Sequence, residues 1–146
     1  MCGIVGIWST NNITIQEKFV DNILKKQQHR GPDNTSKISI DTLTLGHNRL
    51  SIIDLNENAN QPFVSNCGRY SIVFNGEIYN YLEIKKKLDY EFKTLSDTEV
   101  LLANYIKNGE NCIYNLNGMF SFAIYDKRKK TLFCARDRIG EKPFVY

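Results

Sequence analysis

Short runs of alternating or continuous apolar residues, bounded by Gly, Asn, Asp and Pro, lie toward both ends of this chain, whereas its middle carries apolar positions at helical spacing. Gly3 to Trp8 is apolar and rich in β-formers, and it stops at the polar cluster Ser9-Thr10-Asn11-Asn12, which predicts a buried strand. Thr14 followed by Glu17 has the spacing of a capping box, and Phe19, Val20, Ile23 and Leu24 then form one apolar stripe. This predicts a helix ending near Gln28. Gly31-Pro32 makes His29 to Asn34 a loop. Ile38 to Ile40 and Leu43 to Leu45 flank Asp41-Thr42 as a hairpin, whose second arm runs through His47 toward Ile53.

Tyr70, Ile72 and Phe74 alternate with Ser71 and Val73 up to Asn75-Gly76, where the strand is expected to end; read locally, that dipeptide is a type I′ turn. Asn80 and Glu83 are placed to cap a helix burying Tyr81, Ile84 and Leu88, with Lys85, Lys86 and Lys87 mostly in solvent. Ser96 and Glu99 repeat the cap before Val100 to Ile106, and Gly109 ends that helix. Met119 to Tyr125 and Thr131 to Ala135 are strands joined by the charged turn Asp126 to Lys130. Strands, then helices, then strands again predict an α+β fold with mostly antiparallel pairing.

A length of 146 residues fits one domain over 1–146, and 42% hydrophobic with 24% charged residues excludes a disordered chain. The net charge of +3 is small, and Lys127-Arg128-Lys129-Lys130 reads as a solvated turn, so no nucleic-acid partner is expected. The apolar stretches fall well short of the roughly 20 residues a membrane span needs, which predicts no membrane association and a cytoplasmic protein. Cys2, Cys67, Cys112 and Cys134 are widely spaced, with only His29 and His47 to join them, so neither zinc nor a disulfide framework is expected. Cys134, inside an apolar run, is expected to be a buried thiol.

Cys2 differs by position. A small second residue permits removal of Met1, which would leave nucleophile and base on one residue. An α-amine titrates at about 7.7–8.0, near enough to neutrality to take the thiol proton. The thiolate is the species that attacks carbonyl carbon. Alone, Cys2 reads as an unremarkable N-terminal cysteine, Arg49 as a surface ion-pair residue and Asp97 as a first-turn acid favoured by the helix dipole.

The companions Met1-Cys2-Gly3-Ile4-Val5-Gly6, His29-Arg30-Gly31-Pro32-Asp33, Arg49-Leu50-Ser51-Ile52-Ile53, Asn75-Gly76-Glu77-Ile78-Tyr79-Asn80 and Ser96-Asp97 change that reading. In this order, and with Gly118 to Ala123 and Arg136 to Pro143, they resemble the glutaminase domain of glutamine-dependent asparagine synthetases, a class II glutamine amidotransferase. The resemblance implies the N-terminal-nucleophile hydrolase fold, a four-layer α/β/β/α sandwich of two antiparallel sheets. It implies that Cys2 attacks glutamine to release glutamate and ammonia through a thioester. Asn75 and Gly76 would form the oxyanion hole, Arg49 would hold the substrate carboxylate by a planar fork, and Asp97 would hold its ammonium. Leu50, Ser51, Ile52, Ile53 and Glu77 would complete the glutamine pocket.

Arg30 to Asp33 would belong to the surround of the site, and Ser36, where relatives usually carry glycine, predicts a different conformation after Asp33. His29 and His47 are expected to be structural, because such a nucleophile carries its own base. The resemblance calls for no cofactor in this domain, with ATP and Mg expected only for a synthetase domain. Relatives continue through further strands into that domain, so the chain is expected to be C-terminally truncated, to supply ammonia to a synthetase domain or chain, and to be prone to oligomerise at an unpaired sheet edge. Two other readings stay open: an inactive module that binds glutamine or a synthetase chain, and the glutaminase of a class II enzyme with a different acceptor.

Overall fold

The computed structural model describes residues 1–9 and 13–146, with the side chains of residues 13–15 left aside. The Thr14 half of the first predicted capping box therefore lies outside the described residues, as do Thr10 to Asn12. Strand β1 (Gly3–Trp8) is followed by helix α1 (Ile13–Gln27), then β2 (Asn34–Ile40) and β3 (Leu43–Arg49). These three strands form one antiparallel sheet in the order β1-β3-β2. The predicted hairpin is real: Ile40 faces Leu43 across Asp41-Thr42, with Asp41 at φ 53°.

A second antiparallel sheet has the order β4-β5-β6-β7, from Phe63–Val64, Tyr70–Ile78, Gly118–Asp126 and Thr131–Arg136. Between β5 and β6 the chain forms α2 (Tyr81–Lys85) and α3 (Asp97–Asn108). Leu43 and Leu45 of the first sheet pack with Val73, Ala123 and Tyr125 of the second, and this cluster is the layer between the sheets. The opposite face of the second sheet, with Ile72, Phe74, Phe120, Phe122 and Ile124, packs on Ile84, Val100, Leu101 and Leu102 of α2 and α3. Helix α1 covers the first sheet: Val20 and Leu24 are buried where Gly46 of β3 leaves room for them. The layers are thus α/β/β/α, as expected. Among the described residues, no helix is long and apolar enough to cross a membrane.

Several expectations need correction. Strand β1 is only partly buried, with Trp8 half exposed, because it is an edge strand with one neighbour. Asn75-Gly76 is no turn and ends no strand. β5 runs on to Ile78, and Gly76 faces Phe120 of β6, since nine consecutive cross-strand partners outweigh a local turn preference. Asn80 does not cap α2; its side chain bridges to Asn115 O and Asn117 N–H instead.

Ser96 does cap α3 through the Thr98 N–H, but Glu99, fully buried, accepts from the Lys93 and Thr94 amides and the Thr94 hydroxyl instead of reaching back to Ser96. Gly109 ends α3 at φ 58°, as expected. Cys134 is exposed, because β7 is the outer strand of its sheet. Ser36 lies within β2 opposite His47, and its hydroxyl bonds Asn34 and the Gln61 carbonyl, so the chain after Asp33 is a regular strand.

Candidate active site

The cleft lies at one end of the layer between the sheets, and its two walls come from different sheets. Cys2 and Arg49 stand at the ends of β1 and β3, whose pairing continues from Gly3 opposite Asn48. Val73 of β5 points into the layer between the sheets, so alternation turns Asn75 the same way, toward Cys2. The cleft is lined by these residues with Leu50, Ile52, Ile53, Gly76, Glu77 and Asp97. Ser51 lies outside this lining: its N–H goes to the Asp33 carboxylate at 2.7 Å, on the far side of Arg49.

The Cys2 thiol is held by one residue, with Sγ 3.5 Å from the Leu50 N–H and 3.8 Å from the Leu50 carbonyl. Burial raises its pKa above the ordinary thiol value, opposed by the Leu50 N–H and by the positive charges of the N-terminus and Arg49. The Arg30 Nε–H donates to the Cys2 carbonyl at 3.1 Å. Arg30 reaches it because Gly31 lies flat on β3, where a Cβ would overlap the Asn48 carbonyl, and because the Asp33 N–H bonds the Arg49 carbonyl at 3.0 Å. The Arg30 to Asp33 corner thus fixes both the Cys2 backbone and the segment after Arg49.

The exposed edge of β5 forms the opposite wall. In an antiparallel ladder alternate residues turn their N–H groups away from the partner strand. Phe120 exchanges bonds with Asp137, not with β5, which places Phe74, Gly76 and Ile78 in that outward set. The Phe74 N–H is taken by Gln61 Oε1 at 2.6 Å and the Ile78 N–H by Asp97 Oδ2 at 3.0 Å. Between them the Gly76 N–H points into the cleft with no partner among the described residues. A side chain there is excluded, since a Cβ would overlap the Met119 carbonyl. Asn75 is 3% exposed, and its side-chain oxygen is buried with no hydrogen-bond partner among the described residues. The Gly76 N–H and the Asn75 side-chain amide therefore share the cleft with the thiol, the first as an open donor and the second with its oxygen unpaired among the described residues.

Charge sits at the two ends. Asp97 is 5% exposed, and burial pushes its carboxyl up to about 6, with Glu77 adding to the rise and the Ile78 N–H opposing it. No cation pairs with it among the described residues. Arg49 is also buried, but its fork is already engaged: Nη1 donates to Asn56 O at 3.0 Å and Asn60 Oδ1 at 2.8 Å, and Nη2 to Asp54 O and, at 3.5 Å, Ile53 O. The sequence did not anticipate that the loop after Arg49 wraps back onto its guanidinium.

Residue type pointed to neither Gln61, which ties β5 to α3 through Thr98, nor the buried Lys142 in the cleft wall. Neither histidine lines the cleft. His47 is buried against the Phe74 carbonyl and pushed down to about 4 by burial, while His29 lies exposed against Lys26 O.

The family described as a glutamine amidotransferase domain matches residues 1–146. This chain belongs to that family. Its amidotransferase domain is 42% identical, over all of its length, to the putative asparagine synthetase [glutamine-hydrolyzing] 2 of Methanocaldococcus jannaschii, of which it covers 32%. It is 40% identical over its whole length to asparagine synthetase [glutamine-hydrolyzing] 3 of Bacillus subtilis, covering 25% of that protein. Over 98% of its length it is 36% identical to asparagine synthetase B [glutamine-hydrolyzing] of Escherichia coli, covering 26%. The amidotransferase chain thus spans about a quarter to a third of these relatives.

Proposed function

We propose that this domain, residues 1–146, hydrolyses glutamine to glutamate and ammonia with Cys2 as nucleophile. The observation that carries the reading is a thiol sharing one cleft with the Gly76 N–H, unclaimed among the described residues, and with the Asn75 side-chain amide, Arg49 and an Asp97 that no cation pairs with among those residues. A raised thiol needs a base, and loss of Met1 supplies one, the freed α-amine of Cys2. Met1 also lines the cleft, so its removal widens it.

Asp97 receives the substrate ammonium, whose charge compensates a carboxylate that burial otherwise penalises. The α-carboxylate takes its place at Arg49 by exchanging with a loop carbonyl, Ile53 O being the most distant of the four partners. The Cys2 amine takes the thiol proton, and the thiolate attacks the side-chain carboxamide carbon. The resulting oxyanion lies at Asn75 Nδ2 and the Gly76 N–H, donors of the kind worth on the order of 3 kcal/mol each. The C–N bond breaks as the amine returns the proton, releasing ammonia. Water then cleaves the thioester to glutamate and restores the thiol. Glu77 and the backbone of Leu50, Ile52 and Ile53 complete the pocket.

The reaction calls for no metal or cofactor in this domain. The ammonia passes to an asparagine-forming synthetase, a proposal that follows the names of the relatives, and ATP and Mg belong to that synthetase as the family resemblance implies. Intact mass before and after a glutamine-like diazo-ketone tests the reading. Loss of Met1, one adduct at Cys2, none in Cys2→Ala, and ammonia release from glutamine are expected. Retained Met1 with no adduct would overturn it and favour a module that only binds glutamine.

A further inference from the structure

The loop that follows Arg49 and the segment that precedes Asp97 form facing lips of the cleft, and one side chain joins them. Asp54 Oδ2 accepts from the Leu95 N–H at 2.7 Å, two residues before Asp97. Its Oδ1 accepts from the Asn56 N–H at 3.0 Å, closing a local turn in which Asp54 has φ 56°. The Asp54 carbonyl accepts from Arg49 Nη2. One residue therefore holds the guanidinium by its backbone and the approach to Asp97 by its carboxylate.

The cleft walls depend on both connections. Ile52 and Ile53 line it just before Asp54, and Ser96, Asp97 and Thr98 line it just after Leu95. Ser96 is the cap of α3, so the Leu95 amide anchors the loop-to-helix transition that aims the Asp97 carboxylate at Ile78. Ile52, Leu55 and Leu95 are all exposed, so burial of apolar side chains does little to hold the lips together.

We propose that Asp54 is a positioning residue that clasps the 50–56 loop to the start of α3 and so sets the spacing between Arg49 and Asp97, selecting a ligand with an α-carboxylate and an α-ammonium. This rests on the glutaminase reading above, because the spacing matters only if both charges hold one amino acid. Asp54 touches neither the thiol nor the proposed oxyanion donors, so it acts on binding and leaves the chemistry at Cys2 alone.

Asp54→Ala and Asp54→Asn are compared with the unsubstituted protein for KM and kcat with glutamine, and for the rate of Cys2 alkylation by iodoacetamide, which uses neither charged end. Asp54→Ala is expected to raise KM by about tenfold or more, the scale of a lost charge-assisted hydrogen bond, with kcat and alkylation within about twofold. Asp54→Asn keeps one acceptor oxygen and should recover part of the loss. Its KM serves alone if the alanine variant does not fold. Unchanged KM in the variants, beside an unsubstituted protein that hydrolyses glutamine, would overturn the clasp alone. Absence of hydrolysis in the unsubstituted protein would overturn the glutaminase reading and the clasp with it.

Discussion

Asp97 links sequence, burial and function in one side chain. As the first residue of α3 it would be stabilised by the helix dipole on a surface, yet here it is buried and its carboxyl is raised from 3.8 to about 6. Ionised Asp97 is what an ammonium requires, so kcat/KM for glutamine should fall below a limb near pH 6 that reports the free protein. Asp97→Asn should abolish that limb and raise KM on the order of tenfold or more.

Stability moves the other way. Between about pH 4 and pH 6 the unfolded chain gives up this proton while the folded one keeps it, so stability falls as pH rises. Ionised Asp97 then costs roughly 2 to 3 kcal/mol at neutral pH. Asp97→Asn should therefore melt higher than the parent at pH 8 and lose that advantage near pH 4, measured by thermal unfolding. Neither the raised carboxyl nor the engaged fork of Arg49 was legible in the sequence. The first comes from burial of Asp97 where α3 meets the distant 77–78 strand end, and the second from the irregular 53–60 loop, whose path back onto Arg49 follows no periodic pattern.

At the scale of elements, local patterns found the hairpin, the long helices and the sequence of strands and helices along the chain but misjudged the ends that carry the site. Asn75-Gly76 is the clearest case. Its turn preference is genuine, yet the cross-strand register with β6 keeps it extended and so exposes the Gly76 N–H along a strand edge. The tool that shapes this edge is Gln61, a residue with no motif to announce it. Its Oε1 takes the Phe74 N–H and its Nε2 reaches Thr98 of α3, so it spans the gap left where the two-residue β4 stops. Gln61→Leu keeps the bulk and removes both bonds. It should cost about 1–3 kcal/mol for the unpaired amide in denaturant unfolding. It should also lower kcat, because Asn75 and Gly76 follow Phe74 directly on the loosened edge.

For the molecule as a whole, the site is divided between two sheets that meet, among the described residues, through side chains. Cys2 and Arg49 belong to the β1-β3-β2 sheet, whereas Asn75, Gly76 and Asp97 move with the second sheet and its helices. Among the described residues no backbone ladder crosses this boundary, so the distance from the Cys2 thiol to the proposed oxyanion donors is set mainly by the packing of Leu43 and Leu45 on Val73, Ala123 and Tyr125. A close-packed interior can fix such a distance because its side chains interlock and leave few alternative arrangements. Leu45→Ala removes 1%-exposed bulk from the middle of this layer and should destabilise the fold by about 2–5 kcal/mol.

The functional effect should exceed the loss of folded molecules. At a temperature where calorimetry shows the variant still folded, kcat should drop several-fold, because the thiol and the Gly76 N–H are no longer held in one geometry. KM should rise as well, since Arg49 and Asp97 also lie on opposite sides. The exposed-face substitution Val64→Ala, on the short edge strand β4, should leave both parameters unchanged. If Leu45→Ala proved catalytically normal while less stable, the sheets would be held in register by something other than this core. The Arg30 bond to the Cys2 carbonyl does not serve, since it lies within the first half of the site. The Asp54 bond to Leu95 and the His47 bond to the Phe74 carbonyl join the two halves directly, and they would then be the contacts to cut next.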